Sequence, residues 1–140
     1  MSAGTGIRHS EYNLEPKLTK IFQIWIEPRV QGGQPTWGAK PFPKSDRSGN
    51  FVTIASGFAD DGEALPIRAD ARVLAATLKA GESARYAPSK RRNLYLVPAA
   101  GKVEINGVAV NARDGVAIHD EAELRITALE DSELVLVDAA

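Results

Sequence analysis

The chain contains no cysteine, and that absence removes disulfides, thiolate nucleophiles, Cys-ligated zinc and thiol redox switching together. Histidine is nearly absent too: His9 and His119 are the only two in 140 residues, and neither belongs to a recognisable Ser-His-Asp set. No sign of charge dominates, with 17 Lys and Arg against 18 Asp and Glu. The molecular field therefore steers toward neither nucleic acid nor an anionic membrane, and neither is expected as a partner. No apolar run approaches the ~18 residues that span a bilayer, no basic-then-apolar leader opens the chain, and no Gly-rich phosphate loop opens a helix. A cytoplasmic location is the expectation these absences leave. Amphipathic helical faces are missing as well. The one alanine-rich candidate, residues 68–80, is interrupted by Val73 and Thr77 and stopped by Gly81, leaving room for a helical turn at most.

What is present is period-two alternation, the mark of strands. A chain of this length buries roughly two thirds of its unfolded surface and is stable without staples. Residues 19–26 carry bulk on both faces, Ile21 and Trp25 on one and Phe22, Ile24 and Ile26 on the other, which predicts a central strand ended by Pro28. Residues 35–50 turn to Pro, Gly, Lys and Ser with isolated Trp37 and Phe42, a surface connection pinned by aromatic side chains. Further strands are predicted at 51–56, 65–69, 72–78, 93–98, 102–105, 108–110, 116–118, 124–127 and 134–137. Turn residues separate them: Asp60-Asp61-Gly62, Gly81, Asn106-Gly107 and Arg113-Asp114-Gly115 each offer a position tolerant of positive φ. Asn-Gly between two alternating runs predicts a tight hairpin. Short strands at intervals of about 8 to 12 residues define an all-β sandwich or barrel.

Few residues carry reactive chemistry. His9 and Glu11 stand two apart, so in an extended segment both side chains project from one face and can reach a common ion. Two donors leave a metal shell incomplete. His119 reads as a surface or rim histidine, facing away from Ile118. Lys90, Arg91 and Arg92 could bind a phosphate or carboxylate, or form a solvated turn paired with nearby acids. Trp25 and Trp37 could stack on an aromatic substrate or fill core or interface.

In their order and spacing, GTGIRHSEYN at 4–13, FQIWIEP at 22–28, Asp70-Ala71 leading into LAATLKAG at 74–81, VEING at 103–107 and ARDGVAI at 112–118 resemble the second half of a pirin-like bicupin. That family includes bacterial quercetin 2,3-dioxygenase-like proteins. The resemblance implies a single cupin-type antiparallel β-sandwich or barrel, jelly-roll-like, over residues 19–140, with an N-terminal extension, residues 1–18, corresponding to the last strand of a first cupin. Family members hold one metal in the first barrel, through two His of a His-x-His segment and the His and Glu of a later segment. His9 and Glu11 match that later pair. Counted from Gly81, the ligand positions of a metal-binding cupin fall in this chain at Ala87, Ser89, Asn93 or Leu94, and Ile118, none of them a strong donor. The second barrel is thus expected to be metal-free.

Two functional classes follow. The first is a structural or interaction module that packs against a first cupin, or against its own copy through the N-terminal strands, with no cofactor expected for the isolated chain. The second is a metal-dependent quercetin 2,3-dioxygenase-type oxygenase whose site another chain or a symmetry-related copy completes. There His9 and Glu11 would hold Fe, Ni, Cu or Mn, and Glu11 would also act as the catalytic base. A two-fold dimer could bring two such pairs together.

Overall fold

The computed structural model describes residues 1–140. Ten strands follow one short 3-10 turn (Lys44–Arg47): β1 (Val52–Ser56), β2 (Leu65–Pro66), β3 (Ala71–Leu78), β4 (Ser83–Tyr86), β5 (Asn93–Ala100), β6 (Val103–Ile105), β7 (Val108–Val110), β8 (Val116–Ile118), β9 (Leu124–Ala128) and β10 (Ser132–Ala139). They form a six-stranded sheet in the order β2-β1-β3-β10-β5-β8 and a four-stranded sheet in the order β4-β9-β6-β7. All pairings are antiparallel except that of β1 with β2.

The alternation of β10 explains the layering. Ser132, Leu134, Leu136 and Asp138 are buried on its inner face, while Glu133, Val135 and Val137 remain partly accessible on the other. β3 flanks it in unbroken register and β5 with one register shift at Glu133–Leu134, so β10 sits at the centre of the larger sheet. Leu94 and Leu96 of β5, Leu74, Ala76 and Leu78 of β3, and Leu124, Ile126 and Ala128 of β9 join Leu134 and Leu136 in one core of 15 buried residues drawn from both sheets. At Asn106-Gly107 both residues take positive φ, 46° and 89°, as a two-residue hairpin between β6 and β7 requires.

Three expectations are corrected. Residues 19–26 form no strand, and Ile21, Phe22, Ile24 and Trp25 are 64%, 46%, 40% and 88% exposed. Bulk on both faces demands a covering layer on both sides, and within this chain no element supplies one. The strand expected at 72–78 is β3, and the helical turn left open for the alanine-rich stretch does not form; small side chains suit a strand buried along most of its length. At the Asp60-Asp61-Gly62 turn no residue has positive φ, and at the 113–115 turn Arg113 takes it (72°) in place of Asp114 or Gly115. β4 escapes the sequence pattern because only Ala84 and Tyr86 alternate within its four residues.

Removing a fully enclosed core side chain leaves a cavity that the sandwich cannot collapse. Leu136→Ala is expected to lower the unfolding free energy by about 2–5 kcal/mol in urea denaturation, whereas Trp25→Ala changes it by less than about 0.5 kcal/mol. Equal losses would contradict this assignment of core and surface.

Candidate functional site

The N-terminal segment carries the predicted ligand pair. His9 Nε2 lies 3.7 Å from Glu11 Oε1, with both side chains substantially exposed, so the two donors converge as their spacing suggested. No group of three or more His, Cys, Asp and Glu side chains forms a candidate metal shell anywhere in the chain. An imidazole and a carboxylate are the donor types that Fe, Ni, Cu or Mn accept, but two of them supply part of a shell. The segment itself is tied back by a Ser2–Thr36 bridge and by the Thr5 N–H donating to the Gly33 carbonyl at 2.9 Å.

A denser polar constellation lies at one end of the sandwich. Leu94 pairs with both Ile118 and Asp138, and Asp138 with Arg72, so these four form a row across the larger sheet. Tyr86 and Leu124 form the matching row of the smaller sheet. The Tyr86 hydroxyl donates to Asp138 Oδ2 and joins the two sheets. Asp138 is 1% exposed, and its other oxygen accepts from Arg92 Nε at 2.5 Å. Arg92 Nη1 donates to Asp70 Oδ1 at 2.5 Å, and Nη2 to the carbonyl oxygens of Asp70 (3.0 Å) and Asp138 (3.1 Å). Burial first, then the hydrogen bond to Asp138, pushes the Tyr86 phenol well above its ordinary range.

The ring of Phe58 lies beneath three guanidinium groups, those of Arg72 at 4.2 Å, Arg29 at 5.0 Å and Arg92 at 5.6 Å from its centroid. Gly57, the residue before it, lies against the Ala69 backbone, where a Cβ would sit 1.7 Å from the carbonyl oxygen. Arg29 donates to the Gly57 carbonyl at 2.8 Å and its Nη2 stands 3.8 Å from Asp70, which ties the N-terminal segment to the sandwich. Asp61 accepts from Ser56 Oγ and from Arg72 Nε, each at 2.6 Å. The Ser56 hydrogen bond foremost, with Arg72 adding to it against a desolvation cost, holds the Asp61 carboxyl below the usual carboxylate range.

This structure alters the reading of several residues. Arg92 is not part of a solvated turn: its side chain is only 10% exposed, while Lys90 and Arg91 remain exposed. Trp25 and Trp37, 88% and 77% exposed, fill no core. His119 is exposed beside buried Ile118 and is hydrogen-bonded through Nδ1 to Asn93 Oδ1 at 2.8 Å. The Arg92 and Asp138 pair escaped sequence reasoning, yet a signal for it exists. In SELVLVDA the aspartate falls on the inward parity of Leu134 and Leu136, and a carboxylate there requires a buried cation or donors.

Two packed antiparallel-rich sheets, with no α-helix, define a cupin-type β-sandwich. A family model described as the quercetinase C-terminal cupin domain matches residues 53–139, and the chain belongs to that family. It is 73% identical over 140 residues to a pirin-like protein of Caulobacter vibrioides, covering all of this chain and 60% of the relative. It is 37% identical over 141 residues to a quercetin 2,3-dioxygenase of Escherichia coli K12, covering 99% of this chain and 58% of that protein. A crystal structure of YhhW from Escherichia coli superposes with a TM-score of 0.74 at 30% identity, over 83% of this chain and 48% of that one. Bacterial pirin YhhW in complex with nickel(II) gives 0.72 at 28% identity, over 80% and 47%. The chain thus spans about 60% of the length of the curated relatives it matches.

The lowered Asp61 carboxyl sets a pH dependence. Its folded value lies below its unfolded one, so its contribution is complete above the ordinary carboxylate range of about 4 and is lost as pH falls through the folded value. Stability measured by thermal melts is expected to fall steadily below about pH 4 in the wild type and to fall less over the same interval in Asp61→Asn. Parallel curves for the two proteins would contradict the pairing.

Proposed function

We propose that this chain works as a packing and positioning module, whose N-terminal segment docks against a first cupin domain and presents His9 and Glu11 to it. The observation that carries this reading is the segment at residues 12–30. Tyr12, Leu14, Leu18, Ile21, Trp25 and Val30 are 80%, 92%, 88%, 64%, 88% and 77% exposed, a run of apolar side chains no element of the sandwich covers. Contiguous exposed apolar surface marks an interaction site. The share of its relatives that the chain leaves uncovered supplies room for such a partner.

The test is co-expression with the part of the Caulobacter relative that this chain does not match, followed by sedimentation of the purified mixture. A one-to-one complex is expected, weakened at least about tenfold by Trp25→Ala, since a large aromatic anchor contributes about 2 kcal/mol or more to an interface. Failure to associate, with the wild-type chain monomeric at the same concentrations, would overturn the module reading.

A second reading rests on the convergence of His9 and Glu11 at 3.7 Å on an accessible segment. In it, a domain or copy that adds the missing donors completes a metal-dependent dioxygenase of the quercetin 2,3-dioxygenase type. The bound metal would supply Lewis acidity toward substrate and oxygen, while Glu11 would hold the substrate proton. Metal analysis separates the readings. The chain alone is expected to retain less than about 0.1 equivalent of Fe, Ni, Cu or Mn, and the co-expressed complex close to one, lost in His9→Ala. A full equivalent in the monomeric chain would contradict both readings.

A further inference from the structure

We propose that the Tyr86, Asp138 and Asp70 end of the barrel is a cation site whose resident occupant is the chain's own Arg92 guanidinium. Three observations carry it. The carboxylates, the tyrosine that holds Asp138 and the guanidinium itself come from four separate parts of the chain, β10 and the loop before β3, β4, and the loop before β5, so local sequence alone cannot have assembled them. Asp138 is almost fully enclosed on an otherwise apolar inner face, where an unpaired carboxylate is strongly disfavoured. The guanidinium meets this set as a fork, placing donors on one oxygen of each of two carboxylates and on two carbonyls, four bonds that an ammonium with three N–H groups could not match.

The location adds meaning to the geometry. Leu94 and Ile118, two of the positions the second barrel would give to metal ligands, lie in the same sheet row as Asp138, and Ala87 follows Tyr86 directly. An internal cation therefore occupies the end of this barrel where those positions gather. It does so with oxygen donors supplied by other residues. The same guanidinium holds Asp70, the carboxylate that Arg29 of the N-terminal segment approaches, so the site links the barrel interior to the attachment of the segment bearing His9 and Glu11.

The experiment is chemical rescue of Arg92→Ala by guanidinium chloride at low millimolar concentration, followed by thermal melts of the 140-residue chain. Arg92→Ala is expected to melt at least about 10 °C below the wild type, because one buried charge loses its partner. Guanidinium should then raise its melting temperature by several degrees in a saturable way, as a ligand that binds the folded state does. The wild type and the Arg92→Ala/Asp138→Asn double variant should show no such gain. A folded Arg92→Ala that ignores guanidinium, or gains no more than the wild type, overturns the proposal. Where Arg92→Ala does not fold, Arg92→Lys decides: a melting temperature clearly below the wild type supports a forked guanidinium site, and an unchanged one overturns it. These outcomes do not depend on whether the N-terminal segment docks a partner.

Discussion

A carboxylate on the inner face of a β-sandwich has to find partners before the two sheets can close, and Asp138 is that carboxylate. Its solution draws Tyr86 across from the smaller sheet and Arg92 from the loop before β5. Arg92 in turn fixes Asp70, and with Arg72 and Arg29 it covers Phe58. What holds this end together is a connected set of charge-assisted hydrogen bonds. The rest of the barrel is held by apolar packing around Leu134 and Leu136. The two devices are complementary: apolar burial is large and non-directional, while the polar set fixes which strand ends meet.

Most of the sandwich was legible because its strands obey a period of two and its turns carry their own chemistry. The bounds of β7 and β8 follow directly from Val108–Val110 and Val116–Ile118, each set off by turn residues. The family resemblance rested on the order of short segments and agrees with the match over residues 53–139. β3 was harder, since alanine favours helices and only burial on both faces makes it a good strand residue. The N-terminal run misled for a related reason. Ile21, Phe22, Ile24 and Trp25 read as a doubly covered strand, and within this chain nothing covers them.

The polar site was the least legible part. Arg92 stands in a run of three basic residues, and nothing in Lys90-Arg91-Arg92 distinguishes the buried member from its solvated neighbours. The distinguishing signal lay 46 residues away, in the parity of Asp138 within an alternating strand. Long-range pairings of this kind are invisible to local patterns. His9 and Glu11 were legible in the opposite sense: their spacing alone brings them together, and no third His, Cys, Asp or Glu joins them.

A rigid sandwich with a self-contained polar end carries, through Arg29 and Asp70, a segment that displays apolar side chains and a two-donor pair. These features support the proposed role of a domain that positions groups for a neighbour. The Arg92 guanidinium is enclosed and engaged through four of its five N–H groups, and hydrogen exchange at the Arg92 Nε–H, followed by side-chain nitrogen NMR, tests that most directly. Exchange far slower than at the exposed Arg91 Nε–H, on the scale of the core amides of β10, is the predicted result; exchange at the same rate as Arg91 would contradict the account.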